Sequence, residues 1–263
     1  MPDAAAAPHT QPYDPIAEMY DIEHRDFDDD IALMRNVASI VGDPIIEFGC
    51  GSGRILLQIA EDGYDVTGVD TSTEMLRLLE ERARAIDGAS VTAIQGDMRH
   101  ELPLPPDTFG VGIFSLNGLM HLETQRDQIA ALREAARVLD PRGQLVIDLF
   151  NPTPEYLAQL SSGAQLEGVW TTDRGEIEKW SHRRLRPASQ ALDTRVWYDR
   201  VDQDGSLRRV HTSFTLRYIY AAELELMLAM AGFVEWQLYG TYDLDPYDDS
   251  SERLIVLAEL TPS

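Results

Sequence analysis

One cysteine, Cys50, stands in 263 residues, and one lysine, Lys179, among 22 basic residues. A lone cysteine excludes an intramolecular disulfide and any multi-cysteine metal site. The six histidines show no metal-ligand spacing, so no metal ion is expected. No run of 18 apolar residues occurs, which leaves nothing of helical span length for a bilayer and no membrane partner. Positive charge is scarce: 22 basic residues face 45 acidic ones, for a net charge of −23. Such a surface repels phosphate backbones and argues against a nucleic-acid partner. The opening MPDAAAAPHTQPYDP lacks a basic n-region followed by an apolar h-region. It reads as a disordered leader over residues 1–14, not a signal peptide. A reduced, cytoplasmic protein is the simplest expectation.

What is present is enough apolar residue, 44%, to bury a substantial core. Residues 15–41 read as helical, interrupted by the acidic run Asp26–Asp30, which suits the N-terminus of a second helix. An alternation follows. Strands are expected at Pro44–Phe48, Asp65–Val69, Ser90–Gln95, Val111–Ser115 and Gln144–Leu149. Helices are expected at Arg54–Asp62, Ser72–Ile86 (capped by Ser72) and Arg126–Leu139. Strands alternating with helices argue for parallel βαβ units. A helix at Ala221–Ala231 and strands at Val234–Tyr239 and Arg253–Leu260 close the chain.

Residues 151–220 differ in style. Turn signals at 173–175, 186–190 and 202–205 separate runs rich in Thr, Val, Trp and Tyr, the signature of an antiparallel sheet inserted into the α/β unit. Residues 163–220 carry 10 basic and 8 acidic side chains, net +2, while the rest of the chain carries −25. The division expected is a core of residues 15–150 and 221–263, with the insert projecting over it as a lid. The lid is also the expected surface for a homodimer.

The stretch IIEFGCGSGR (Ile45–Arg54) ends an apolar strand on Glu47 and continues through Gly49, Gly51 and Gly53. A glycine turn between strand and helix makes a cradle where backbone approaches a ligand closely and free N–H groups point at it. The dinucleotide fingerprint G-x-G-x-x-G fails here, because Arg54 stands at the third glycine position. Asp70 ends the second strand, where a carboxylate can accept both hydroxyls of a ribose. Gly96-Asp97-Met98-Arg99 follows the third strand, where an acid and a backbone N–H can read an adenine edge.

This ordered set resembles the class I S-adenosylmethionine (SAM) dependent methyltransferases. The resemblance implies an α/β Rossmann-like fold: a seven-stranded sheet of order 3-2-1-4-5-7-6, its last strand antiparallel, with helices on both faces and an inserted antiparallel β lid. It implies SAM as cofactor and S-adenosylhomocysteine (SAH) as product. It places Glu47, Gly49, Cys50 and Gly51 along the methionine part of SAM, Asp70 at the ribose with Thr71 and Met75 nearby, and Asp97 and Met98 at the adenine. Two further stretches, MYDIEHRDFDDD (Met19–Asp30) and FSLNGLMHL (Phe114–Leu122), are similar to those of bacterial small-molecule methyltransferases such as the sugar N,N-dimethyltransferases. They add Tyr20, Arg25 and Leu116 to the cofactor set, and Arg54 joins it at the end of the glycine stretch. His121 is the candidate general base and Tyr20 the second candidate catalytic residue.

The implied chemistry is methyl transfer to N or O of a small-molecule acceptor. A protein or peptide acceptor stays open, as does a SAM-binding sensor or silent partner subunit. Arg54 and the Gly-Asp pair speak against a nicotinamide oxidoreductase. Trp170, Trp180, Trp197, Tyr198, Phe214 and Tyr218 are candidate lid residues for an acceptor pocket. Arg183, Arg184 and Arg186 suit an anionic acceptor, whereas the loop acids Asp243, Asp245, Asp248 and Asp249 suit a cationic one.

Overall fold

The computed structural model describes residues 11–172, 175–202 and 205–261. Two helices, α1 (Ala17–His24) and α2 (Ile31–Val41), precede the first strand. The alternating region then folds as β1 (Ile45–Phe48), α3 (Arg54–Glu61), β2 (Asp65–Asp70), α4 (Thr73–Ala83), β3 (Ser90–Gln95), β4 (Phe109–Phe114), α5 (Gln125–Val138) and β5 (Leu139–Phe150). Side-chain oxygens fix where helices begin: Ser72 accepts from Met75 N–H to start α4, and Thr124 accepts from Asp127 N–H to start α5.

The first five strands run parallel, their buried runs covered by helices on both faces. Late in the chain come α7 (Ala221–Ala231), β10 (Glu235–Tyr239) and β11 (Arg253–Glu259). β11 inserts antiparallel beside β5, and β10 pairs with it at the edge. The order is β3-β2-β1-β4-β5-β11-β10. Counting β10 and β11 as the sixth and seventh core strands, this is the expected 3-2-1-4-5-7-6.

A second sheet holds β6 (Ala164–Thr172), β7 (Gly175–Arg186), β8 (Ala191–Val201) and β9 (Leu207–Arg217) in antiparallel order β6-β7-β8-β9. Parts of two expected turns, residues 173–174 and 203–204, lie outside the described residues.

Three details depart from expectation. β5 begins five residues before Gln144, because Leu139 already pairs with Phe109 of β4. A helix, α6 (Pro154–Leu160), opens the inserted region; Thr153 caps it and Pro154 occupies its first turn, a start signal present in TPEY. The leader expected over residues 1–14 falls outside the described residues only to residue 10. Its end is fixed: Thr212 Oγ1 donates to Pro12 O at 2.5 Å, and Ser72 Oγ donates to Asp14 Oδ1 at 2.6 Å. Among the described residues no helix is long and apolar enough to cross a membrane.

Candidate active site

The site is built at the carboxyl ends of β1, β2, β3 and β4. After β1 the chain turns through Gly49, Gly51 and Gly53 at φ of 75°, 54° and 82°. These are left-handed values that side chains with a Cβ resist. Gly49 and Cys50 both donate their N–H to Val69 O, which curls the loop onto the end of β2. The three glycines answer to different demands. A Cβ on Gly53 would lie 2.2 Å from Leu79 Cδ1, so this glycine serves helix packing. A Cβ on Gly49 would meet only Met98, at 3.4 Å. Cys50 is buried, and burial pushes its thiol well above the usual range. Its Sγ would lie 2.7 Å from a Cβ on Gly68, so its role is packing against β2.

Asp70 stands at the end of β2. Its Oδ2 accepts from Gly51 N–H at 2.9 Å and its Oδ1 from Ser72 N–H at 2.8 Å. Each carboxylate oxygen retains a further lone pair for a ligand hydroxyl. Burial raises its pKa against those hydrogen bonds. Glu47, 2% exposed, faces the same space from β1. Its Oε1 accepts from Ser115 Oγ at 2.5 Å, while its Oε2 is buried without a hydrogen-bond partner among the described residues. Burial raises the Glu47 carboxyl to about 8.

Two expected contacts are altered by neighbours. The Asp97 carboxylate is clasped by Arg99, Oδ1 at 2.9 Å from Nε and Oδ2 at 2.5 Å from Nη2. Burial opposes ionisation of Asp97, but the Arg99 hydrogen bonds outweigh it and hold the pKa down. Arg54 is committed to support. It forms a two-pronged pair with fully buried Asp30, at 2.7 and 2.6 Å, and donates to Phe27 O. That pairing ties residues 27–30 to the start of α3.

Past β4 the backbone makes a strained turn, Leu116 at φ 40° and Asn117 at φ 66°. Leu116 N–H donates to Asp148 Oδ2, and Asn117 Oδ1 accepts from Phe150 N–H at 2.6 Å. A short 3-10 helix, Gly118–His121, hangs from this turn and presents His121. Tyr13 Oη lies 3.1 Å from His121 Nε2. Tyr13 also stacks on Phe214 of β9 and meets the Tyr20 ring edge-on. Burial lowers His121 to about 4, which leaves the ring neutral at pH 7.

All fourteen candidate site residues line one cavity of about 1450 Å³: Tyr20, Arg25, Glu47, Gly49, Cys50, Gly51, Arg54, Asp70, Thr71, Met75, Asp97, Met98, Leu116 and His121. Tyr13, Asp21, Ser52, Ser115 and Phe214 join them. The reading of residues 1–14 as a leader hid Tyr13, although a tyrosine in an otherwise alanine- and proline-rich stretch was a visible signal.

Of the six candidate lid aromatics only Phe214 lines this cavity. Trp170 and Tyr198 pack in a small core with Ile16 and Ile177, and Tyr218 belongs to the main core. Trp180 and Trp197 stack on each other as a cross-strand pair. Arg183 is held by Glu167, while Arg184 and Arg186 share Asp193. Of the loop acids, Asp245 and Asp248 line a separate groove beside Tyr242 and not this cavity.

Residues 45–143 match the family described as methyltransferase domain. A cypemycin N-terminal methyltransferase from a Streptomyces species is 29% identical over 251 residues, covering 94% of this chain and 97% of that protein. An O-methyltransferase, resE, from Aspergillus sclerotiorum is 31% identical over 181 residues, 61% of this chain and 66% of that protein. The solved CcbJ methyltransferase of Streptomyces caelestis superposes with a TM-score of 0.77 at 26% identity, over 96% of this chain and 99% of that one. Residues 45–143 are a methyltransferase domain, and the chain is a SAM-dependent methyltransferase. SAM is therefore its cofactor. The cavity of this methyltransferase fits a cationic ligand: Glu47 offers a buried carboxylate oxygen with no hydrogen-bond partner among the described residues.

Proposed function

We propose that this enzyme transfers a methyl group from SAM to a nitrogen or oxygen of a small-molecule acceptor that enters beside His121. The observation that carries the reading is the Tyr13–His121 pair in a cavity larger than one ligand requires. Single-ligand pockets run to roughly 300–1,000 Å³, and this one holds about 1450 Å³. Room remains for an acceptor next to the cofactor.

A bound SAM supplies a methyl already activated on its sulfonium. The residues hold and orient. Gly49, Cys50 and Gly51 bring backbone against the methionine portion. Glu47 Oε2 meets its positive charge. Asp70 accepts from the ribose hydroxyls with its remaining lone pairs, and Met98 and Asp97 flank the adenine. Arg54 acts through Asp30 and Phe27. Such positioning supplies roughly 7–11 kcal/mol of barrier reduction when the geometry is near attack. A base adds about 10²–10⁴-fold.

His121 is that base. Its Nε2 is occupied by Tyr13, so the ring serves as base through Nδ1. That requires the tautomer in which Nε2–H donates to Tyr13 Oη and Nδ1 is bare.

A peptide acceptor is the second reading. It is supported by the relative that this chain matches over 97% of that protein's length, whose name gives an N-terminus as its methylation site. The test is a screen of amines, amino sugars, phenols and short peptides with radiolabelled SAM. Turnover of a small amine or hydroxyl supports the proposal; turnover confined to peptides replaces it with the second reading.

A further inference from the structure

Helix α1 contributes Tyr20, Asp21 and His24 to the cavity wall, yet only Ala17 of its eight residues is buried. Met19 and Ile22 are partly buried against the cluster of Ile16, Ile177, Val196 and Tyr198, but so short a helix is not held by propensity or by packing alone. Polar contacts hold it from two sides. Towards the main sheet, Asp21 accepts from Ser52 Oγ at 2.9 Å and pairs with Arg82. Towards the second sheet, Glu23 Oε2 accepts from Tyr198 Oη at 2.6 Å, and Glu23 Oε1 lies 2.5 Å from Lys179 Nζ.

Lys179 also lies 3.0 Å from Glu167 Oε2, and Glu167 is bound in turn by Arg183 at 2.5 Å and Ser181 at 2.6 Å. These neighbours hold the Glu167 carboxyl down, to about 2, against the opposing effect of burial. Two carboxylates and two cations make a neutral cluster whose Glu23 and Lys179 side chains are 14% and 13% exposed. His24 follows Glu23 directly: its Nε2 lies 3.8 Å from Glu23 Oε1, its ring stacks on Tyr20 at 4.0 Å, and Tyr20 abuts Tyr13.

We propose that Lys179 is a positioning residue for the cofactor site: through Glu23 it fixes α1, and with it the Tyr20–His24 wall, between the glycine loop and the second sheet. The inference rests on the reading that this cavity takes SAM. Without the lysine, three charges remain: Glu167 keeps Arg183, while among the described residues Glu23 keeps the Tyr198 hydroxyl and the His24 ring. An uncompensated buried charge moves towards water, and α1, which carries Glu23, moves with it.

The test uses the full chain with SAH as probe. Lys179→Met is expected to weaken SAH binding by calorimetry at least about tenfold, while Lys179→Arg, which keeps the charge, stays within about threefold of wild type. A Lys179→Met protein that unfolds at lower temperature but binds SAH like wild type would show a structural role only, and overturn the proposal.

Because Lys179 is the only lysine, an acetylating reagent reads the cluster without any mutation. Saturating SAH is expected to slow acetylation of the Lys179 ε-amine about tenfold, followed by peptide mass against an added lysine competitor. Equal rates with and without SAH also overturn the proposal, and this arm holds even if Lys179→Met fails to fold. Absence of SAH binding to the wild type would defeat the cofactor reading itself, and this inference with it.

Discussion

Tyr13 Oη and His121 Nε2 meet at 3.1 Å although 108 residues separate them. The contact joins a segment before α1 to the turn after β4, and it assigns one ring nitrogen of His121 to the protein. His121→Ala should lower turnover by about 10²–10⁴-fold with little change in SAH affinity. Tyr13→Phe should cost less, and the double variant should cost less than the product of the two, because they act as one unit. Additive effects on kcat would separate the pair. Because burial holds His121 near 4, the rate should show no histidine limb between pH 6 and 8. The acid limb should appear as pH falls towards 4, where the ring protonates and the base is lost.

Glu47 gives a second pH dependence of opposite origin. With its carboxyl raised to about 8 from 4.5, the ligand-free protein holds a proton there at pH 7. A cationic ligand favours the ionised form, so SAM binding should release a proton and tighten as pH rises towards 8. Calorimetry in buffers of different ionisation enthalpy reads the proton directly. SAH lacks the sulfonium; proton release with SAM but not SAH would place Glu47 at the sulfonium, and release with both would place it at the ammonium. Glu47→Gln should abolish the pH dependence in either case. The same shift contributes stability to the ligand-free fold that is fully present below pH 4.5 and is lost as pH rises through about 8.

Asp70 holds the glycine loop as well as facing the ligand, through Gly51 N–H and Ser72 N–H. Asp70→Asn keeps one acceptor oxygen and loses the charge. SAH affinity should fall about ten- to hundredfold, the range for hydrogen bonds to a charged group. An unchanged Kd with an unchanged unfolding temperature would remove Asp70 from the ribose.

The parallel core was legible because its signals are local. β-branched runs, Ser72 as a cap and glycines between strand and helix each point to one answer within a few residues. The glycine loop, Asp70 and Asp97 share a register set by strand order, so they could be placed on the site side from sequence alone. What was hidden depends on contacts across the chain. That Arg54 is spent on Asp30, and Asp97 on Arg99, follows from side-chain geometry that no spacing rule carries. Side chains alternate faces along the strands of the second sheet, and without the register Trp180 of β7 and Trp197 of β8 could not be told from Phe214 of β9. Tyr13 was missed for the same reason: its partners, His121 and Phe214, are far along the chain.

The turn that carries His121 stores strain at Leu116 and Asn117, both left-handed, and two side chains hold it. Asp148, fully buried, accepts from Leu116 N–H while paired with Arg253, and Asn117 Oδ1 accepts from Phe150 N–H. Asparagine tolerates this conformation, and glycine tolerates it better. Asn117→Gly should therefore lose only the hydrogen bond, whereas Asn117→Ala should lose the bond and also bear the left-handed penalty. The two variants should differ in unfolding free energy by roughly 1 kcal/mol, with alanine the less stable. Both release Phe150 N–H and loosen the segment that ends at His121. Turnover should fall further than SAH affinity in each, and equal losses of the two would mean that the turn shapes the cofactor pocket as a whole and not the position of the base.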